Sequence, residues 1–145
     1  MAKGYRFLEH TADVEYIAYG KDERECFSNA LMAMFDTASY LAKLERSKEK
    51  RIIMKVKSRA SRTEDLLWYL LQDVLSMTDA KGLFAYSVKR LRIGESGTKR
   101  TAEAELLARE RSDQASKLDV KGVSRYELSL RRTGRRLEAH VVLDV

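Results

Sequence analysis

From Phe27 to Leu41 the apolar residues return at every third or fourth position: Phe27, Ala30, Leu31, Met34, Phe35, Ala38 and Leu41. The pattern recurs in Leu66, Leu67, Leu70, Leu71, Val74, Leu75 and Met77. Only a helix of 3.6 residues per turn gathers such residues on one side, so two amphipathic helices must bury their stripes against something. Asp22 stands where the first helix needs a cap, and Ser61-Arg62-Thr63-Glu64 has the spacing of a capping box for the second, which Gly82 should end. Glu45 to Lys50 reads as a polar connection.

The surface those helices cover is supplied by segments of period two. Tyr5–His10 and Val14–Gly20 read as strands at the start, and Arg51–Ser58 as a third with Ile52, Met54 and Val56 on one face. After Leu83 comes an alternating strand closed by Gly94-Glu95-Ser96-Gly97, then Lys99–Ala108 with Ala102, Ala104, Leu106 and Ala108 inward. Arg109–Ser116 reads as a loop and Leu118–Val123 as a short strand or strand edge. Tyr126–Leu130 and Leu137–Leu143 then form a hairpin around Arg132-Thr133-Gly134-Arg135. The expected fold class is α+β, an antiparallel or mixed sheet packed with two amphipathic helices, in one domain spanning residues 1–145.

Composition narrows the function. The chain has 145 residues, 44% of them hydrophobic, enough for a real core. One cysteine, Cys26, cannot form an intramolecular disulfide and falls within a helical stripe, as a small core residue does. The amino-terminal stretch has no apolar signal region and no run is long enough to span a bilayer, so a cytoplasmic protein without membrane contact is expected. A formal charge of +6 permits an RNA-linked partner without specifying one, because the basic clusters lack interleaved aromatics for base stacking.

No P-loop, paired cysteines, closely spaced histidines or Gly-x-Ser-x-Gly is present, which disfavours a catalyst in its own right. What remains is acidic. Asp13 lies in the turn, Thr11-Ala12-Asp13, that leaves the first strand, and Asp144 stands one residue before the carboxylate of Val145. If folding joins those segments, three carboxylates converge and need a cation or protons to relieve their repulsion. Hard oxygen donors suit calcium, magnesium or manganese. The same residues also fit a turn aspartate and a solvated tail. His140 shares a strand face with Asp144 but lies about 13 Å away along it, too far to share one ion.

Phe7-Leu8-Glu9-His10-Thr11-Ala12-Asp13-Val14, Glu64-Asp65-Leu66-Leu67, Val120-Lys121-Gly122-Val123 and Val142-Leu143-Asp144-Val145 occur in the order and at roughly the separations seen in archease, and over nearly its whole length the chain resembles that family. The resemblance implies a non-catalytic accessory protein of the GTP-dependent RtcB-type RNA ligase, which joins exons in tRNA splicing and repairs broken RNA. The accessory protein promotes guanylylation of the ligase and multiple turnover, and meets tRNA or broken RNA indirectly through it. The resemblance also implies a divalent ion, calcium first and magnesium or manganese as alternatives, held by Asp13, Asp144 and the Val145 carboxylate. Lys121, His10 and Asp73 become candidates for activating the ligase. The chain departs from the family at Ser124-Arg125-Tyr126, where a Thr, an apolar or aromatic residue and a His are usual, and at Leu137, where a tryptophan is common. A stand-alone RNA-binding module using Arg131, Arg132, Arg135 and Arg136, or a chaperone-like assembly factor acting through apolar surface, are the competing classes.

Overall fold

Asp22 caps the first helix as its position predicts: its carboxylate accepts the Glu25 amide at 2.8 Å. In the computed structural model, which describes residues 4–9 and 13–145, that helix is α1, Glu23–Ala38. It is preceded by strands β1 (Tyr5–Leu8) and β2 (Val14–Gly20) and followed by a short helix α2 (Leu41–Arg46) and strand β3 (Ile52–Ala60). Helix α3 (Thr63–Lys81) leads into the hairpin of β4 (Leu83–Ser96) and β5 (Lys99–Glu110). A 3-10 turn at Asp113–Ala115, strand β6 (Gly122–Val123), β7 (Ser129–Thr133) and β8 (Arg136–Asp144) complete the chain. The fold is α+β, with every strand pair antiparallel.

The strands make two sheets where the sequence suggested one. The first runs β1-β2-β8-β6 with β7 also on β8, and the second runs β3-β5-β4. Helix α1 packs on β2 and β8 of the first sheet and on β4 of the second, while α3 packs on β3, β4, β5 and β6. One continuous cluster of buried side chains therefore holds the inward residues of both sheets and both helical stripes, from Tyr16 and Leu31 to Leu70, Leu106 and Val141. The Tyr16 hydroxyl, fully buried, donates to the Ala30 carbonyl at 2.8 Å, so its polar tip is satisfied.

Four local expectations fail for tertiary reasons. The stripe through Leu41 breaks at Ser39, whose amide and hydroxyl both return to the Phe35 carbonyl at 3.0 Å, while the Tyr40 amide donates to Ala115. Leu44 of α2 then joins a second small core with Phe84, Tyr86 and Ala115. Arg109, buried, donates to the carbonyls of Leu44 and Glu49 and lies 5.2 Å from the Tyr86 ring centroid. That one guanidinium fixes residues 45–50, which sequence alone left as a polar connection. The capping box is also absent. Helix α3 starts after Arg62 without a side-chain cap, because Ser61 accepts from Lys99 and Thr63 from Arg100. Arg100 forks onto both Glu23 oxygens at 2.6 and 2.8 Å, and that hydrogen bond holds the Glu23 carboxyl below the usual carboxylate range.

Third, β4 runs through Gly94 to Ser96. Two register shifts, between Ala85 and Ser87 and between Val88 and Arg90, reset its alternation. The turn is Gly97-Thr98, and Gly97 adopts φ +64°, the left-handed conformation that a two-residue hairpin requires at that point. Fourth, residues 118–121 and 126–128 are not strand. Gly82, by contrast, ends α3 in the left-handed region as expected.

The outward side of β3-β5-β4 carries rows of charge. Glu103 lies 3.4 Å from Lys57 and 3.0 Å from Arg92, and Glu105 lies 3.7 Å from Lys55 and 3.8 Å from Arg90. Glu103 and Glu105 of the central strand are thus each bracketed by a cation from either neighbour. Among the described residues no helix is long and apolar enough to cross a membrane.

Gly20 sets the distance between α1 and the first sheet. It pairs with Leu137, and a Cβ there would stand 2.2 Å from the Cys26 amide nitrogen. Gly20→Ala must push the first turn of α1 off β2. A loss of about 3 kcal/mol in urea denaturation is expected.

Candidate functional site

The inward residues of β2 and β8 are apolar at matching positions, Tyr16 opposite Val141 and Ala18 opposite Ala139, and this fixes a register that ends at Val14 opposite Leu143. The residue before Val14 is Asp13 and the residue after Leu143 is Asp144. Two carboxylates that are 131 positions apart in the chain therefore flank one strand pair. Val145 packs its side chain against the main core, half-buried.

On its other side β8 meets β6. Gly122 lies opposite Asp144, and the Lys121 amide donates to the Asp144 carbonyl at 2.7 Å. Gly122 carries no side chain where it faces the site, and a Cβ there would be 3.6 Å from Asp144 Oδ2 and 3.9 Å from Gln72 Oε1. Helix α3 fastens this strand by two side chains one turn apart. Trp68 Nε1 donates to the Val123 carbonyl at 2.8 Å, and Gln72 Oε1 accepts the Val123 amide at 3.1 Å. Both bonds are needed because an edge strand of two residues has little ladder of its own.

Asp13 lines an open cleft of about 800 Å³ together with Glu9, Asp36 and Lys117. Asp36 is engaged there by Lys117 Nζ at 3.0 Å and by the Tyr5 hydroxyl at 2.9 Å. Burial pushes the Tyr5 phenol well above its ordinary range, and the Asp36 hydrogen bond adds to that. Among the described residues, no three His, Cys, Asp or Glu side chains are placed to hold a metal ion. The trio drawn from the sequence has only two such side chains, Asp13 and Asp144, with the Val145 carboxylate as third donor. These are hard oxygens, the donor class calcium and magnesium take. Calcium's six to eight ligands would then need main-chain or water oxygens as well.

The other sequence candidates fall in different places. Lys121 is exposed and adjoins Asp144 through the backbone. Asp73 turns to the opposite flank of α3, where its Oδ2 accepts the Ser58 hydroxyl at 2.6 Å, so it does not join Asp144. Gln72, one residue earlier, is the α3 side chain that reaches β6, the strand bordering Asp144, and nothing in the apolar periodicity singles it out. His10 lies outside the described residues. His140 places Nε2 2.9 Å from Glu15 Oε1 and Nδ1 3.2 Å from the Glu127 carbonyl, both as an ordinary strand histidine does. Of the basic residues near the last hairpin, Arg136 pairs with Glu138 at 3.1 Å and stacks 4.1 Å from the Tyr19 ring centroid.

The model of the Archease protein family matches residues 5–145. The chain is 30% identical over 145 residues to protein archease of Methanosarcina mazei, covering 99% of this chain and 97% of that one. It is 27% identical to protein archease of Methanothermobacter thermautotrophicus, covering 99% of each. Its fold is similar to the solution structure of Methanobacterium thermoautotrophicum protein 1598, with a TM-score of 0.79 at 25% identity, covering 99% of this chain and all of that one. The crystal structure of an archease from Thermotoga maritima, described as a possible chaperone, shares the fold with a TM-score of 0.60 at 19% identity, over 95% of this chain and 94% of that one.

Whether the single thiol takes part in chemistry is decided by its surroundings. Cys26 is fully buried on the inward side of β2, with Sγ 3.6 Å from the Ala18 carbonyl, whereas His140 projects from the outward side beside Glu15. Burial pushes the thiol up to about 12. The native protein should therefore not react with Ellman's reagent at pH 8, and should titrate one thiol once unfolded in guanidinium. Since the thiol ionises more readily in the unfolded chain, its linkage lowers stability as pH rises above the ordinary thiol value of 9.0.

Proposed function

This chain belongs to the archease family, and from that premise we propose that it is a divalent-metal-binding accessory protein of an RtcB-type RNA ligase, promoting guanylylation and multiple turnover in tRNA splicing and RNA repair. The observation that carries the metal part of this reading is the β2–β8 register, which leaves Asp13 and Asp144 at adjoining strand ends. Both residue types are acceptor-only when ionised, and they come from two strands whose pairing is rigid, so little order is lost on binding. Asp13, Asp144 and the Val145 carboxylate would hold the ion, with calcium favoured and magnesium or manganese as alternatives. When bound, the ion supplies positive charge of the kind that stabilises a triphosphate during nucleotidyl transfer.

The chain's own residues would then present that charged end to the ligase. Lys121, exposed just before β6, would meet an acidic group or a phosphate on the partner, and His10 remains a candidate for the same role. Asp73, fixed to Ser58, would act on the ligase only from the other flank of α3. The stand-alone RNA-binding reading would rest on Arg131, Arg132, Arg135 and Arg136, of which Arg136 is already held by Glu138.

Asp13→Ala and Asp144→Ala should each abolish stimulation of multiple-turnover ligation while leaving the melting temperature within about 2 °C of wild type. Calcium at a hundred times its dissociation constant should stabilise the wild-type chain by about 2.7 kcal/mol and each variant by much less. Full stimulation by both variants would remove the carboxylates from the mechanism.

A further inference from the structure

The edge of β8 opposite β2 is occupied by one strand with a detour in it. Val123 pairs with Leu143, the Ser124 amide donates to the Val142 carbonyl at 2.9 Å, and pairing resumes with Ser129 opposite His140. Residues 124–128 thus stand opposite Val141 and Val142 alone, a large outward bulge in an otherwise straight edge. The detour is held at three points. Leu128 is buried in the main core, and the Glu127 carbonyl lies 3.2 Å from His140 Nδ1. Arg125 folds back over α3, with its guanidinium 4.9 Å from the Trp68 ring centroid, 5.2 Å from that of Tyr69 and 3.6 Å from Asp65. Between these fixed residues the side chain of Tyr126 stands wholly in solvent, at 101% relative exposure, against 50% for Ile53, the next most exposed large apolar residue among those described.

An aromatic ring held out by a braced loop gains nothing for the fold and forfeits the burial that a tyrosine ordinarily obtains. It is, however, well suited to binding, because the loop's ordering cost is already met in the free protein. Tyr, Trp and Arg together are also the residue types that dominate protein–protein anchors. The charge around the loop selects the class of partner. Lys121 and Arg125 are accompanied by Asp65, Asp119, Glu127 and Asp144, so the patch lacks the cationic excess that a phosphate backbone demands. We propose that Tyr126 is a docking anchor that inserts into an apolar pocket on a protein partner, seating that partner across the Asp144 end of β8. With the ligase as partner, this rests on the reading under Proposed function and adds the means of attachment to it.

The test is the affinity of the full-length chain for the RtcB-type ligase, measured by calorimetry alongside multiple-turnover ligation. Tyr126→Ala should weaken the complex about thirty-fold, the size of a binding hot spot, with the melting temperature unchanged. Tyr126→Phe, which keeps the ring, should stay within about threefold of wild type, and Asp144→Ala should still bind while failing to stimulate. Wild-type affinity in Tyr126→Ala would overturn the anchor and leave the accessory function standing. A wild-type chain that does not bind the ligase would overturn both. Lowered affinity for an RNA oligonucleotide, with ligase binding intact, would also overturn the anchor.

Discussion

The pairing of β2 with β8 is the constraint on which the rest of the molecule depends. It joins residues near the start of the chain to residues at its end, and so closes the longest loop available. Nothing local favours that closure. It is maintained because the inward positions of both strands, Tyr16, Ala18, Ala139 and Val141, are wholly buried under α1, and a slip of one residue would turn all of them outward. The same register decides which polar residues lie at the strand ends and which lie on the outward side. The placement of Asp13, Asp144, Glu15 and His140 is therefore a by-product of core packing. A site assembled this way does not tolerate change in the packing beneath it.

Periodicity revealed what depends on periodicity. The two helical stripes, the inward face of β5 and the bounds of β2 follow from alternation and helical spacing, while Asp22 marks a helix start by its side-chain acceptor and Gly82 a helix end by its left-handed backbone. The pairing of the two ends was legible only as a possibility, because two apolar strands do not specify each other as partners. Where a polar side chain is concerned, the sequence assigns it to its nearest neighbour while a distant group competes for it. Ser61 and Glu64 have the types and spacing of a capping box, yet Lys99 of the β4–β5 hairpin claims Ser61, and Glu64 accepts the Leu130 amide. Arg109 looked like the start of a loop and is instead the buried post of α2. Gln72 and Asp73 differ by one position, which on a helix is a rotation of about 100°. That rotation sends one to β6 and the other to β3. No property of a carboxamide or a carboxylate announces which way the helix will be turned.

The charge rows on the second sheet have a bearing on how that sheet is assembled. Lys55 and Lys57 lie on β3, Arg90 and Arg92 on β4, and Glu103 and Glu105 on β5. If β3 and β4 met directly, as two strands bracketing one helix easily do, cations would face cations along the whole seam. With β5 between them, every facing pair is of unlike sign. Strand order is thus written in electrostatics as well as in connectivity. Concentrated salt would blunt that discrimination more than it blunts the hydrophobic core, so ionic strength should act first on the fidelity of assembly and only second on the finished protein.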